Sequence, residues 1–276
     1  MAVVRVSYYT DPCCPWSWAF EPTLRTLSWE FGETLSITHV MCGMAREFGE
    51  VVPLIGEMLA ATEASGMPVD PRLWLEDPPR SSHPACMAVK AAAEQGDPAR
   101  YLRRLREGIM CRRRKLDGTE SLAEEARLTD GIDLARFRVD LSSHAILEAF
   151  GADLERAQSV APEHHAEGSD RVKLPSLEFQ GADGEVHGVY GFTGLSEARA
   201  AAVAAGALES GRRPPAVEQA IGRFGAMSAA EIALVCDLPG PGAPAELWRL
   251  ATEWRVKPER LGSAELWTLQ GPAPGG

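Results

Sequence analysis

The sequence predicts an α/β fold with a helical insertion and a small C-terminal helical appendage, and three observations support this. A strand pattern, a helical pattern and a second strand pattern follow one another within 3–41, which predicts a βαβ unit. Helix-period patterns then dominate 53–165. Two more strand patterns and a helix follow up to residue 210, so we expect one sheet domain that combines 1–52 with 166–210.

The elements of the βαβ unit are predicted from simple periodicities. Apolar and polar side chains alternate over 3–9, which is typical of a strand. Apolar residues then recur at helical spacing up to Phe31, just before the stop signal Gly32, and Pro22 is expected to kink this helix. The run 35–41 predicts a second strand, parallel to the first.

Two neighbouring cysteines open the first helix. Cys14 stands immediately before Pro15, a residue that the first helical turn tolerates. A thiol at this position faces unpaired backbone N–H groups and the positive end of the helix dipole, and both lower its pKa by favouring the thiolate. We therefore interpret Cys14 as the candidate nucleophile, with a buried, inert cysteine as the alternative. Cys42 follows the second strand and is expected at the same sheet edge.

The segment 14–18, Cys-Pro-Trp-Ser-Trp, resembles the active-site turn of the DsbA-like branch of the thioredoxin superfamily, where C-P-x-C follows the first strand. That branch also has a proline, usually cis, before its third strand, and Pro175 matches it. The resemblance covers about 1–210 and implies a thioredoxin fold with a helical insertion. The residues that it implies in substrate binding are Pro15, Trp16 and Leu174.

The motif departs from the dithiol pattern at its last position. Ser17 stands where a dithiol enzyme has its second cysteine, and a hydroxyl can hydrogen-bond a thiolate but cannot form a disulfide. The turn is also similar to the S-P-Y-S-W of kappa-class glutathione transferases and 2-hydroxychromene-2-carboxylate isomerases, whose first serine activates glutathione. Cys14 would take the place of that serine. A second thiol would come from glutathione, Cys13 or Cys42, although both cysteines are also interpreted as packing residues.

The inserted helical domain, 53–165, is expected to form a cap over one edge of the sheet. In the DsbA-like family such a cap walls the substrate cleft. The segment 80–83, Arg-Ser-Ser-His, directly precedes the central helix of the insertion. We interpret these side chains either as lining the cleft or as capping the helix.

The last part of the chain completes the sheet domain and adds the appendage. The run 186–190 predicts a fourth strand, and 195–208 predicts an alanine-rich helix. Within 216–270 we predict three helices and a strand at 264–269, in an order that resembles a degenerate winged helix. Seven acidic residues stand against five basic ones there, whereas a DNA-binding domain would be basic, so we expect packing against the sheet domain or a partner. Residues 271–276 are expected to be disordered.

Composition narrows the class of protein. A formal net charge of −11 over 276 residues argues against nucleic acid or an anionic membrane as the partner. No stretch has the pattern of a signal peptide or the length of an apolar membrane span, so we expect a cytoplasmic protein with reduced cysteines. Neither a metal site nor a tightly bound cofactor is expected, because no C-x₂-C pair exists and His164 and His165 are adjacent in a polar loop.

Three functional hypotheses follow. In the first, the Cys14 thiolate, supported by Ser17 and with Pro175 shaping the cleft, attacks a protein or small-molecule disulfide in oxidoreductase or isomerase chemistry. In the second, glutathione is a cosubstrate for the transfer to, or isomerisation of, a small aromatic molecule. In the third, the protein is a non-enzymatic adaptor that delivers a client to a protease, as some intracellular DsbA-like proteins do. The substrate and the oligomeric state stay open.

Overall fold

The computed structural model describes residues 3–262 and 264–271. The main sheet has the strand order β2-β1-β3-β4. Its strands are β1 (Val4–Thr10), β2 (Leu35–Met41), β3 (Ser176–Gln180) and β4 (Val186–Tyr190). β1 runs parallel to β2 and antiparallel to β3, and β3 is antiparallel to β4. All four strands lie where the sequence predicts them. The prediction of disorder covers 271–276. Of these residues the structure describes only Gly271, and the others lie outside the described residues.

The helical segment after β1 is broken, not kinked. α1 spans Pro15–Ala19 and α2 spans Glu21–Phe31, and Phe20 separates them. Pro22 lies in the first turn of α2, where its missing N–H needs no partner, whereas its ring would clash with a continuous preceding turn. The prediction of one kinked helix was therefore wrong, and α1 is a separate helix of only 5 residues.

Each face of the sheet has its own apolar core. On one face, α2 and α10 (Leu195–Ala204) pack on the sheet around Tyr8 and Phe179. On the other face, a smaller core contains Tyr9, Val40 and Cys42. The sheet is therefore buried on both sides, as expected for a central strand such as β1.

The insertion between β2 and β3 is helical, as predicted. Its helices are α3 (Val51–Ser65), α4 (Arg72–Glu76), α5 (His83–Ala93), α6 (Ala99–Met110), α7 (Thr119–Arg127), α8 (Leu134–Leu141) and α9 (His144–Ser159). They enclose a core of their own around Trp74, Tyr101 and Phe137, which also takes in Cys13 and Trp18 from the sheet domain. The insertion thus packs directly on the segment that carries the cysteines.

The appendage has more strands than the sequence predicts. Its elements are α11 (Val217–Phe224), β5 (Met227–Ser228), α12 (Ala229–Val235), α13 (Gly242–Thr252), β6 (Val256–Leu261) and β7 (Ala264–Leu269). They include a sheet of order β5-β7-β6. β5 and β6 were not predicted; β6 contains Pro258, which an edge strand tolerates. The element order keeps the resemblance to a winged helix, and the boundaries proposed for the three units stay a prediction.

Six buried charged residues join the three units, and we call them the charged junction. They are Glu21, Arg25, Arg103, Arg106, Glu107 and Glu231. Arg103 in α6 lies 2.9 Å from Glu231 of α12 and 2.7 Å from Glu107. Arg106 donates to Glu21 of α2, and also to Tyr8 and Thr10 of β1. Because these contacts hold α2 and the end of β1 in place, the junction fixes the frame on which the cysteine-bearing turn sits.

No helix within the described residues is long and apolar enough to cross a membrane.

Candidate functional site

Cys14 caps the N-terminus of α1. Its backbone is extended, and Pro15 occupies the first turn of the helix. The backbone N–H of Ser17 donates to the Cys14 sulfur over 3.4 Å. The thiol therefore takes the place of the usual capping side chain and is held by one of the unpaired N–H groups of the helix.

Burial decides the protonation state of this thiol. Cys14 is 3% exposed. Burial raises its pKa, the side chain and N–H of Ser17 lower it, and the negative charge of Asp11 raises it. The net direction is upward, so the expectation of a lowered pKa was wrong for the structure as it stands. The physical reason is that a helix of 5 residues and one N–H contact compensate too little of the cost of burying a thiolate.

The Ser17 hydroxyl lies beside the thiol. Ser17 is fully buried, and no described group completes a hydrogen bond to its side-chain oxygen. The side chain is nevertheless close enough to lower the pKa of Cys14. A buried hydroxyl with unused hydrogen-bonding capacity is suited to solvate a thiolate once one forms.

Pro175 lies at the same end of the sheet as Cys14. The Leu174–Pro175 peptide is cis, as the resemblance implies. Ser176, the first residue of β3, pairs with Tyr9 near the end of β1, so Pro175 faces the point where β1 leads into the cysteines. Pro175 is buried and Leu174 is half-buried. The two halves of the predicted motif are therefore brought together by the β1–β3 pairing.

The side chains of Cys13 and Cys42 diverge into different cores. Cys42 follows Met41, which pairs with Thr10, so its backbone lies at the predicted sheet edge. Its side chain packs with Tyr9 on one face of the sheet, whereas that of Cys13 packs in the core of the insertion. Burial, followed by the charge of Asp11, raises the pKa of both thiols. The service of either as a second thiol stays a prediction.

Asp11 organises the cysteines, and the sequence analysis missed it. It is fully buried, and its carboxylate accepts hydrogen bonds from the backbone N–H of Cys13 at 2.7 Å and of Met44 at 2.6 Å. It also accepts from the Ser82 hydroxyl at 2.8 Å and from the Cys86 thiol at 3.3 Å. One carboxylate thus ties the end of β1 to the loop after β2 and to α5. The sequence signal that could have identified Asp11 is its position just before the cysteine pair.

Segment 80–83 contributes to helix capping, and its role in lining a cleft stays a prediction. The Ser82 hydroxyl reaches Asp11, so this residue supports the cysteines and does not cap α5. The Ser81 hydroxyl accepts the backbone N–H of His83 at 3.1 Å, which satisfies a donor in the first turn of α5.

Trp16 forms an aromatic rim beside Cys14. Its indole N–H donates to Glu57 of α3, and its ring centroid lies 5.2 Å from that of Phe192, just after β4. Both rings are half-buried. The two rings form a half-buried aromatic patch that begins two residues after Cys14, and the carboxylate of Glu57 lies beside it.

The two adjacent histidines stabilise a loop. The His164 ring stacks on Tyr190 with centroids 3.6 Å apart, and a ring nitrogen of His165 lies 2.8 Å from the Val160 carbonyl oxygen. Across the part of the chain that the structure describes, no group of three or more His, Cys, Asp or Glu side chains is arranged to hold a metal ion.

Comparisons with known proteins agree with this fold. A family model described as Thioredoxin matches 8–164, more than half of the chain. The chain is 31% identical over 169 residues to the ClpXP adapter protein SpxH of Halalkalibacterium halodurans. This alignment covers 57% of this chain and 55% of that protein. It is 26% identical over 283 residues to SpxH of Shouchella clausii, which covers 96% of this chain and 89% of that protein. The chain thus matches about half the length of the first relative and most of the second.

The solved structures show the same fold at low sequence identity. A candidate protein disulfide isomerase from Nitrosomonas europaea aligns with a TM-score of 0.62 and 17% identity, covering 73% of this chain and 97% of that one. The chain belongs to the thioredoxin family and has its DsbA-like fold, in which a helical insertion separates the second and third strands of the sheet.

Proposed function

We propose that the protein carries out thiol–disulfide exchange through Cys14, the single cysteine of its Cys-Pro-Trp-Ser motif. The observation that supports this best is the placement of the Cys14 sulfur at a helix N-terminus, on the N–H of Ser17, at the sheet end where Pro175 precedes β3. In a DsbA-like fold this is where a substrate disulfide meets the reactive sulfur.

The exchange has two steps. The Cys14 thiolate attacks one sulfur of the substrate disulfide, a mixed disulfide forms, and the other substrate sulfur leaves as a thiolate. Ser17 stabilises the Cys14 thiolate but cannot displace the bound substrate. A second thiol, from glutathione or from the substrate, attacks the mixed disulfide and releases Cys14 as a thiolate. This pattern suits isomerisation or deglutathionylation better than strong dithiol oxidation.

The buried thiol makes exchange selective. Because burial raises the pKa of Cys14, little thiolate exists at neutral pH until the cleft opens. A client that binds the aromatic rim at Trp16 and displaces covering side chains would expose the sulfur, so activity would depend on client binding. A disulfide that cannot bind this rim, such as oxidised glutathione, is expected to react more slowly than a glutathionylated client.

The test compares Cys14→Ser with Cys236→Ser, which replaces a buried cysteine of the appendage. The substrate is a glutathionylated peptide, with excess glutathione as the second thiol. We expect peptide release by the parent protein and by Cys236→Ser, and no release above background by Cys14→Ser. Equal rates for all three proteins would contradict the proposal.

An adaptor role is the second candidate. The similarity to the ClpXP adapter SpxH of Shouchella clausii extends over 96% of this chain and so includes the appendage. In this role the fold would present a client to the protease without chemistry at Cys14. A client whose degradation by purified ClpXP is accelerated equally by the parent protein and by Cys14→Ser would favour it, provided that neither protein releases the glutathionylated peptide.

A further inference from the structure

The strand β4 forms an open edge of the main sheet. It is the last strand in the order β2-β1-β3-β4, and β3 is its partner. Within the part of the chain that the structure describes, no backbone group of β4 forms a hydrogen bond on the side away from β3. Val186 is 51% exposed and Gly188 is exposed as well. This side of β4 therefore offers unpaired N–H and C=O groups to another strand.

The residues of β4 do not protect this edge. Natural edge strands are usually blunted by lysine, by proline or by a bulge. The sequence of β4, Val-His-Gly-Val-Tyr, contains no lysine, acid or proline, and its five residues pair with β3 without a bulge. By contrast β6, an edge strand of the smaller sheet, contains Lys-Pro-Glu-Arg at 257–260. The edge at β4 is thus the one that remains suited to pairing.

Antiparallel pairing of β4 with the β4 of a second copy has one full-length register. A two-fold axis places one residue opposite its own copy, and all five residues pair when that residue is the central one, Gly188. Val186 then lies opposite Tyr190 of the second copy, and His187 lies opposite Val189 of the second copy. Two four-stranded sheets become one continuous sheet.

Gly188 suits the position on the axis. A Cβ atom at Gly188 would overlap the ring of Tyr190, which folds over this glycine. The ring is held there, because its hydroxyl donates to Glu178 at 2.9 Å and His164 stacks on it with centroids 3.6 Å apart. A glycine inside a strand often marks the close approach of another backbone. Val186 lies on the same face as Tyr190, so the Tyr190 ring of the second copy would cover this exposed apolar side chain.

Charges at the two ends of β4 are complementary in this register. Glu185 directly precedes β4, and Gly191 directly follows it. A Cβ atom at Gly191 would lie 3.8 Å from the side chain of Lys173, so this lysine lies beside that end of the strand. The side chains of Glu185 and Lys173 are both exposed. The length of β4, about 17 Å, separates them within one chain, whereas antiparallel pairing brings Glu185 of each copy to the Lys173 end of the other.

We propose that the protein self-associates through β4, as a two-fold dimer in which the β4 strands of two copies pair antiparallel around Gly188. Main-chain hydrogen bonds supply the affinity, and the two Glu185–Lys173 pairs set the register. Pairing between five-residue strands buries less area than a permanent interface does, so the association is weak and depends on concentration. The dimer does not use Cys14 and is independent of the proposed exchange reaction.

Sedimentation velocity of the full chain under reducing conditions tests the dimer, from low micromolar to several hundred micromolar protein. We expect the mass to rise from that of one chain, 29.8 kDa, towards twice this value. Val186→Lys adds the charge that natural edges use against pairing and is expected to weaken the association by about tenfold or more. Its matched control is Val139→Lys, which adds the same charge at a 68% exposed valine of α8, and it should associate as the parent does. Cys14→Ser should also associate normally, because the contact involves no thiol.

The register is tested by exchanging the charges. Glu185→Lys and Lys173→Glu each place like charges together and should weaken the association by about threefold, whereas the double variant restores opposite charges and should recover it. Hydrogen–deuterium exchange should show that the amides of 186–190 become protected as the concentration of the parent protein rises. No recovery in the double variant would overturn the register centred on Gly188. A monomer at every concentration, equal association of Val186→Lys and Val139→Lys, or a dimer with unprotected β4 amides would overturn the proposal.

Discussion

The Cys14 site and the charged junction are both buried, yet their ionisable groups end in opposite protonation states. At Cys14, burial raises the thiol pKa, and the contacts of Ser17 offset only part of this effect. At the junction, burial alone would raise the pKa of Glu21, but Arg106, Arg103 and Arg25 together lower it to about 2. Burial favours the neutral form of a group unless opposite charges surround it. The thiol therefore stays protonated, whereas Glu21 stays charged.

The same difference distinguishes the proposed reactive site at Cys14 from the charged junction, which is structural. In the proposed exchange reaction, a thiol that is neutral while buried would become reactive when a client uncovers it. A network whose charges are mutually compensated cannot lose one member without leaving another buried and uncompensated. We therefore expect substitutions at the junction to affect folding and substitutions near Cys14 to affect reactivity.

The largest expected effect is the loss of stability in Arg106→Met. This side chain is fully buried and donates to Glu21, Tyr8 and Thr10, so its removal leaves Glu21 with less compensation. Breaking a buried pair in this way costs about 3–5 kcal/mol, which urea unfolding followed by circular dichroism measures. The control is Arg249→Met, whose exposed ion pairs with Glu246 and Glu253 should leave the unfolding midpoint unchanged. Equal midpoints for both variants would show that the junction does not stabilise the fold.

A second prediction concerns the pH dependence of stability that Glu21 produces. Its pKa is about 2 in the folded protein against an ordinary value of 4.5, so its stabilising contribution is complete above pH 4.5 and is lost as the pH falls towards 2. Glu21→Gln removes this contribution. The variant should be less stable than the parent at pH 6, and the difference should shrink by pH 3, in urea titrations at both values. A difference that is the same at pH 3 and pH 6 would contradict this assignment.

The smallest effect is expected at Ser17. Because the Ser17 side chain lowers the pKa of Cys14, Ser17→Ala should move the alkylation profile of Cys14 to higher pH without unfolding the protein. Site-resolved mass spectrometry after iodoacetamide labelling measures the alkylation profile. In the parent protein, Cys14 is expected to titrate at a higher pH than a free cysteine does. Ser17→Thr, which keeps the hydroxyl, is the control and should titrate closer to the parent. If alanine and threonine give the same profile, the hydroxyl has no part in stabilising the thiolate.

The candidate site was predictable where its signals are local. The Cys14 turn, the proline before β3 and the alternating strands depend on residues close together in sequence, and all of them lie where expected. Asp11 was missed because its partners, Met44, Ser82 and Cys86, come from distant segments. The direction of the Cys14 pKa was missed for a related reason, since burial of the thiol depends on tertiary packing that the sequence pattern of the turn does not show.

The sequence by itself determined the strands of the main sheet, the position of the helical insertion and the residue types of the Cys14 turn. These follow from periodicity, from helix-capping and proline rules and from the residue types within a short motif. Only the tertiary structure decided which charges meet at the junction and whether the thiol is exposed. The junction depends on contacts between α2, α6 and α12, which are far apart along the chain and which no local pattern encodes.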